Sequence, residues 1–152
     1  MDRFASQVLG NTAMMKLAAE MLLVLPGNPI IYYGEELGMF GVKAMGPDIW
    51  DETRRMPFVW GDDTQTDWIA SSSQTLANME AANDAIGTAA EQLADPESLL
   101  ALYTAILAVR NANMALAYGN SFTAWEDSTA ELAGFYRDYT YEDLTQRVLV
   151  IH

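Results

Sequence analysis

Two carboxylates stand side by side in Gly34-Glu35-Glu36, directly after the uncharged run Pro29-Ile30-Ile31-Tyr32-Tyr33. Four of those five residues are β-branched or aromatic, which reads as a short strand buried on both faces. Buried strands of α/β proteins carry their chemistry at the C-terminal end, which is where the pair falls. Two carboxyl groups can divide acid and base work between them. Adjacent residues at a strand end point to opposite sides, however, so Glu35 and Glu36 do not face one substrate bond. Their expected work is structural: beside Tyr33, near a cleft, their hydrogen bonds order the following loop and reach Arg3 or Arg55.

Other reactive types are scarce. The chain has no cysteine, which removes disulfides and thiolate metal sites. Its one histidine, His152, is the last residue, which speaks against a Ser-His-Asp triad or a histidine metal site within this chain. Asp62, Asp63 and Asp67 offer the oxygen ligands that calcium takes, but their spacing does not match the EF-hand loop, and solvated acids are the preferred reading. Trp50, Trp60 and Trp68 lie along an aperiodic stretch, residues 37–75. A loop this long inside a compact domain is usually functional. Indole rings there suit the flat C–H faces of sugars, and core packing is an equally fair reading of each one.

The elements that must position these groups follow from composition and period. At 152 residues and 51% hydrophobic, the chain is long and apolar enough to build a packed core of ordinary domain size. The 21 acids against 8 bases give a net charge of −13, which repels phosphate backbones and anionic membrane surfaces. Neither nucleic acid nor membrane is therefore an expected partner. No apolar run reaches the roughly 18 residues of a membrane span. Met1-Asp2-Arg3-Phe4 lacks the order of a signal peptide. For a protein that works outside the cell, the export signal would not be in this chain.

A helix capped by Asn11 or Thr12 is expected to run to about Leu25, where Pro26 and Gly27 stop it. Met14, Leu17, Met21, Val24 and Leu25 fall on one face of it and read as core; Lys16 and Glu20 form the charged stripe. The Ala-rich stretch 76–94, interrupted by Gly87, predicts one or two short helices. A longer helix is expected to start at Asp95-Pro96-Glu97 and run through Leu99, Leu100, Tyr103, Ile106, Leu107 and Arg110. From Gly119 the period becomes alternating, and residues 121–126, 131–138 and 145–151 read as three strands with polar turns between them. The chain stops in mid-strand, and three strands without a closing partner make a poor independent sandwich.

The segment Gly27, Pro29, Ile31, Tyr32, Tyr33, Gly34, Glu36, Gly38 and Met39 resembles the eighth barrel strand of the α-amylase family of glycoside hydrolases, whose pattern is G-x-P-x-I-Y-Y-G-x-E-x-G-M. Ser98, Leu99, Leu100, Tyr103, Arg110, Ala115, Leu116 and Gly119 match the final barrel helix of the same family, with Leu107 where Ile is usual. Met1-Asp2-Arg3 is similar to the residues just after the family's N-H-D signature. Arg55-Met56-Pro57-Phe58-Val59-Trp60 matches its R-x-P-x-x-W loop, with Arg54 beside Arg55.

The resemblance implies an α/β fold: the C-terminal part of a TIM (β/α)8 barrel, strand eight with its flanking helices, followed by the start of a small antiparallel β domain. Residues 1–118 would be the barrel portion with its cleft loop 37–75, and 119–152 the first, incomplete strands of the β domain. It implies a glycosidase of the type found between oligo-glucosidases and neopullulanases, cleaving α-glucosidic bonds of starch-like or malto-oligosaccharide substrates with retention. The three catalytic carboxylates of the family come from strands four, five and seven, so none is placed here and this chain alone is expected to be inactive. Arg3, Arg55 and Trp60 are the implied substrate-side residues, with a surface ion pair as the rival reading for each arginine. No cofactor is implied for this chain; calcium is a candidate only for the parent enzyme and is assigned to no residue here. The parent would work in an extracellular or periplasmic setting. Expected partners are the α-glucan and either the preceding barrel portion or a second copy. The rival from another class is a non-catalytic helical module that self-associates or binds carbohydrate.

Overall fold

A computed structural model of the protein describes residues 1–43, 51–61 and 74–151. Trp50, Trp68, Asp62, Asp63, Asp67 and His152 lie outside the described residues. The chain divides into two compact units, Met1–Ala18 with Ile31–Tyr103, and Ala19–Ile30 with Thr104–His152. The helices are α1 (Phe4–Gln7), α2 (Thr12–Val24), α3 (Gln74–Asp84), α4 (Ala89–Ala94), α5 (Leu99–Ala112) and α6 (Met114–Tyr118). The strands are β1 (Ser121–Asp127), β2 (Leu132–Tyr141) and β3 (Leu144–Ile151). Among the described residues no helix is long and apolar enough to cross a membrane.

In the first unit, Asn11 caps α2 as expected: its Oδ1 accepts from the Met14 N–H at 3.1 Å. A single 3-10 turn, Glu35–Leu37, sits between Gly34 and Gly38, both at positive φ (85° and 77°). It leads into a core of Leu37, Met39, Met56, Val59 and Ala89, around which Phe58, Met79, Ile86 and Leu100 pack. Helices α3 and α4 realise the two short helices expected of the Ala-rich stretch, with Gly87 in the connection. A capping box starts α4: the Thr88 hydroxyl accepts from the Glu91 N–H, and the Glu91 carboxylate accepts from the Thr88 N–H at 2.8 Å. These hydrogen bonds hold the Glu91 carboxyl below the usual carboxylate range. Helix α5 begins later than the Asp95-Pro96-Glu97 signal suggests. The Asp95 carboxylate instead accepts from the Glu97 N–H two residues on (2.9 Å), and the Ser98 hydroxyl caps the helix by accepting from Ala101 N–H (3.0 Å).

Two buried amides tie this unit together. Asn83 accepts from the Phe40 N–H at 2.7 Å and donates back to the Phe40 carbonyl at 3.3 Å. Gln92 donates from Nε2 to the Leu37 carbonyl (3.0 Å) and the Ile86 carbonyl (3.1 Å), while its Oε1 accepts from the Leu100 N–H (3.3 Å).

The second unit contains an antiparallel sheet in the order β1-β2-β3. Phe122 pairs with Arg137, and Arg137 with Val148, so these three side chains share one face. The strands fall where the alternating pattern places them. Ala115 and Leu116 of α6 are buried, and the Ala115 N–H donates to Gln146 Oε1 of β3 at 2.8 Å. Arg137 is buried and donates to the carbonyls of Gly119 (3.0 Å) and Val24 (3.4 Å). Burial, and then the nearby Arg110 guanidinium, push its pKa down.

Two expectations are corrected. Residues 29–33 pair with no strand among the described residues, and Ile30 (85% exposed), Tyr32 and Tyr33 stand open to solvent. An extended apolar run is buried only where neighbouring strands or helices cover both its faces, and those are not supplied by the described residues. For the same reason Met14, Leu17, Met21 and Leu25, read as core, are exposed; Ala19 and Leu23 are the buried residues of α2.

Candidate functional site

The site is built on Arg3. Its backbone N–H donates to the Gly41 carbonyl at 2.8 Å, which lays the start of the chain along residues 41–43. Asp2 continues that contact by accepting from the Lys43 N–H at 2.6 Å. The arginine stem passes Gly41 so closely that a Cβ there would stand 2.8 Å from Arg3 Cδ and 2.9 Å from Arg54 Cα; only glycine fits. The guanidinium is thus delivered into the first unit, where Arg3 is 4% exposed.

There it joins three segments. Nε donates to the Arg54 carbonyl at 2.8 Å and Nη1 to the Tyr33 carbonyl at 2.7 Å. Nη1 also reaches Glu35 Oε1 at 3.5 Å. The guanidinium carbon lies 4.7 Å from the ring centroids of both Tyr32 and Tyr33, within the range of a cation–π contact. The two rings are 4.8 Å apart. The Tyr33 hydroxyl in turn donates to the Met56 carbonyl at 3.1 Å.

The electrostatics of this cluster are those of a partly buried polar network. Burial raises the Glu35 carboxyl above its ordinary pKa, and Arg3 pulls it the other way. Burial and then Tyr32 raise the Tyr33 phenol, again opposed by Arg3. Tyr103, buried in the same unit, is pushed up to about 12 by burial and then by the Glu35 and Glu36 carboxylates. Each of these groups is held in its neutral form to a higher pH than in water. Among the described residues no cluster of three or more His, Cys, Asp or Glu side chains is arranged as a metal site.

The 3-10 turn Glu52–Arg54 carries the two adjacent arginines in different directions. Arg54 turns inward, donating to the Met1 carbonyl at 2.9 Å and pairing with the Asp51 carboxylate. Arg55 turns outward: its side chain is 64% exposed and bonds to the other Asp51 oxygen at 2.8 Å. Trp60 is exposed, with its ring 4.4 Å from that of Phe58. The backbone beneath it is anchored to α4, because Val59 and Trp60 carbonyls accept from the Ala89 and Ala90 N–H groups (2.8 and 3.3 Å). Among the expected residues, then, Arg3, Tyr33 and Glu35 converge on one cluster around the buried Arg3 guanidinium, while Arg55 and Trp60 stand on the exposed loop beside it. Glu36 Oε2 is buried and has no partner among the described residues.

Tyr32, Gly41, Arg54 and Tyr103 join the site without having been singled out for it. Gly41 and Arg54 contact Arg3 only across long sequence separations, and no local spacing encodes that. Tyr32 carried a visible signal, as half of an adjacent aromatic pair before a glycine. The arrangement can present a cationic donor and an indole face on a backbone wall fixed from behind.

Residues 1–119 match the family of alpha amylase catalytic domains. The chain is 40% identical over 119 residues to alpha-amylase SusG of Bacteroides thetaiotaomicron, covering 78% of this chain and 16% of that protein. It is 34% identical over 140 residues to alpha-amylase 3 of Dictyoglomus thermophilum, covering 90% and 24%. Among solved structures it is similar to the trehalulose synthase MutB from Pseudomonas mesoacidophila MX-45, with a TM-score of 0.62 at 20% identity, covering 97% of this chain and 32% of that one. The chain therefore spans between a sixth and a third of the length of these proteins.

Proposed function

The chain belongs to the α-amylase catalytic-domain family, a glycoside hydrolase family of α-glucan-active enzymes, and on that premise we propose that it is the C-terminal portion of a retaining α-glucan hydrolase. Residues 1–118 would be the eighth strand of the barrel, its flanking helices and the cleft loop 37–75; residues 119–152 would open the small antiparallel β domain. The observation that carries this reading is the family match over residues 1–119 in a chain so much shorter than its relatives. The exposed apolar residues Met14, Leu17, Met21, Leu25 and Ile30 support it as surface that the preceding barrel portion would cover.

The substrate of the whole enzyme would be starch-like glucan or malto-oligosaccharide. Retention requires two carboxyl groups about 5 Å apart across the scissile bond. In this reading those groups, and the third carboxylate that steadies the charged sugar, belong to earlier strands; Glu35 and Glu36 are not among them. Arg55 and Trp60 meet the sugar on the acceptor side of the cleft, the guanidinium by hydrogen bonds and the indole by its apolar face, with Arg3 held against the backbone just before Arg55. The test is turnover of a chromogenic maltoside by the 152-residue chain. The expected result is none. Hydrolysis that disappears when one of this chain's own carboxylates is substituted overturns the reading.

A further inference from the structure

We propose that Arg3 is a positioning residue: its guanidinium joins the Tyr32–Tyr33 ring pair and the backbone of residues 54–56 into one body, and so sets where Arg55 stands. The side chain of Arg3 is 2% exposed, so it acts through its neighbours and not on a ligand. It holds the loop from two directions. One leg is direct, from Nε to the carbonyl of Arg54, the residue immediately before Arg55. The other runs from Nη1 to the Tyr33 carbonyl, and from the Tyr33 hydroxyl to the Met56 carbonyl, the residue immediately after Arg55. Arg55 is therefore bracketed: both flanking carbonyls end on the same Arg3–Tyr33 unit. The planar fork of arginine supplies two divergent donors and a face that stacks on both tyrosine rings; a lysine ammonium supplies neither the fork nor the plane. Gly41 is the corollary, since its missing side chain is the channel through which the arginine stem arrives. The inference rests on the proposed function only in taking Arg55 and Trp60 as the sugar-facing pair.

The experiment uses the 152-residue chain with Arg3→Lys and, separately, Tyr33→Phe. Amide hydrogen exchange is read at Arg54 and Arg55, whose N–H groups bond within the loop to the Asp51 and Glu52 carbonyls. In Arg3→Lys those two amides are expected to exchange at least about tenfold faster, while the amides of β2 keep their rates. Tyr33→Phe, which keeps the guanidinium, should speed the same amides by a smaller factor. A purely structural role would speed exchange throughout the chain. Should Arg3→Lys do so, Tyr33→Phe decides: selective acceleration at 54 and 55 supports the clamp, and unchanged rates there overturn it. Titration with maltoheptaose, followed by tryptophan fluorescence, adds the ligand side. Binding that weakens about tenfold in Arg3→Lys is expected if the loop is misplaced, and undiminished binding overturns the claim that Arg3 sets it. Absence of binding by the unsubstituted chain overturns the sugar-facing reading of Arg55 and Trp60 and not the clamp, which the exchange pattern decides by itself.

Discussion

Arg110 closes the end of helix α2 by donating from Nη1 to the Leu23 carbonyl at 2.6 Å. Its Nη2 reaches the Gly27 carbonyl, also at 2.6 Å, and Nη1 lies 3.4 Å from that of Leu25. These carbonyls belong to a helix end and the bend after it, which lack backbone donors of their own. A cation is also favoured there by the helix dipole.

Arg110 is 5% exposed and Leu23 is fully buried, so loss of the arginine leaves the Leu23 carbonyl short of both donor and water. Arg110→Met is expected to lower stability by about 2–4 kcal/mol, measured by urea unfolding with an unchanged slope. Arg110→Lys should recover only part of that, because it keeps the charge and loses the fork. A loss below about 0.5 kcal/mol in the Met variant contradicts the capping role.

Two glycines separate backbone strain from steric conflict. Gly34 (φ +85°) and Gly27 (φ +107°) both hold left-handed conformations. A Cβ on Gly34 would overlap the Met39 side chain, whereas one on Gly27 would meet nothing within 4 Å. Gly27→Ala is expected to cost about 1–2 kcal/mol from strain alone, and Gly34→Ala clearly more. Equal losses in thermal or urea unfolding would show that the Met39 contact yields freely.

Glu35 predicts a pH dependence with a definite sign. Burial raises its folded pKa above the unfolded value, so between those two values the folded chain holds a proton that the unfolded chain has released. Stability from this group is complete below the unfolded value and is lost as pH rises through the folded one. Glu35→Gln carries no charge at any pH. Its melting temperature relative to the unsubstituted chain should therefore improve as pH is raised from about 4 toward neutrality. Parallel melting curves across that range would mean that Arg3 fully offsets the burial.

Trp60 can be removed with little effect on the fold, because its ring is exposed and its anchors are backbone groups. Trp60→Ala should change stability by no more than about 1 kcal/mol. It should weaken maltoheptaose binding by about tenfold and abolish most of the fluorescence response. Arg55→Ala, which breaks only a surface ion pair, should leave stability within about 1 kcal/mol. Retained binding in both variants would move the sugar contact elsewhere.

Elements governed by local signals were legible in the sequence. Asn11 at the start of α2, Gly87 between α3 and α4, and the alternating strands from Ser121 all fall where capping, punctuation and period place them. The Ser98 cap was missed because Asp95-Pro96 gives the stronger local cue, while the Asp95 carboxylate is occupied in its own turn. What a sequence window does not carry is the identity of the covering partner. Residues 29–33 and the methionine-rich face of α2 have core composition, and burial is a property of what lies against them. The site was half legible for the same reason. Tyr33, Glu35 and Arg3 stood out through motif and charge, but their convergence depends on Gly41 and Arg54, which are distant in sequence from Arg3 and carry no matching spacing.

Gln92 has a chemical consequence of its own. Its nitrogen faces two carbonyl oxygens while its oxygen faces an N–H, so the position needs a group with both polarities at a fixed separation. Glutamate has nearly the same shape and only oxygens, and it would set lone pair against lone pair at Leu37 and Ile86. Spontaneous hydrolysis of that one amide during storage would thus act as an ageing lesion, loosening the attachment of α4 from within without any change in outline.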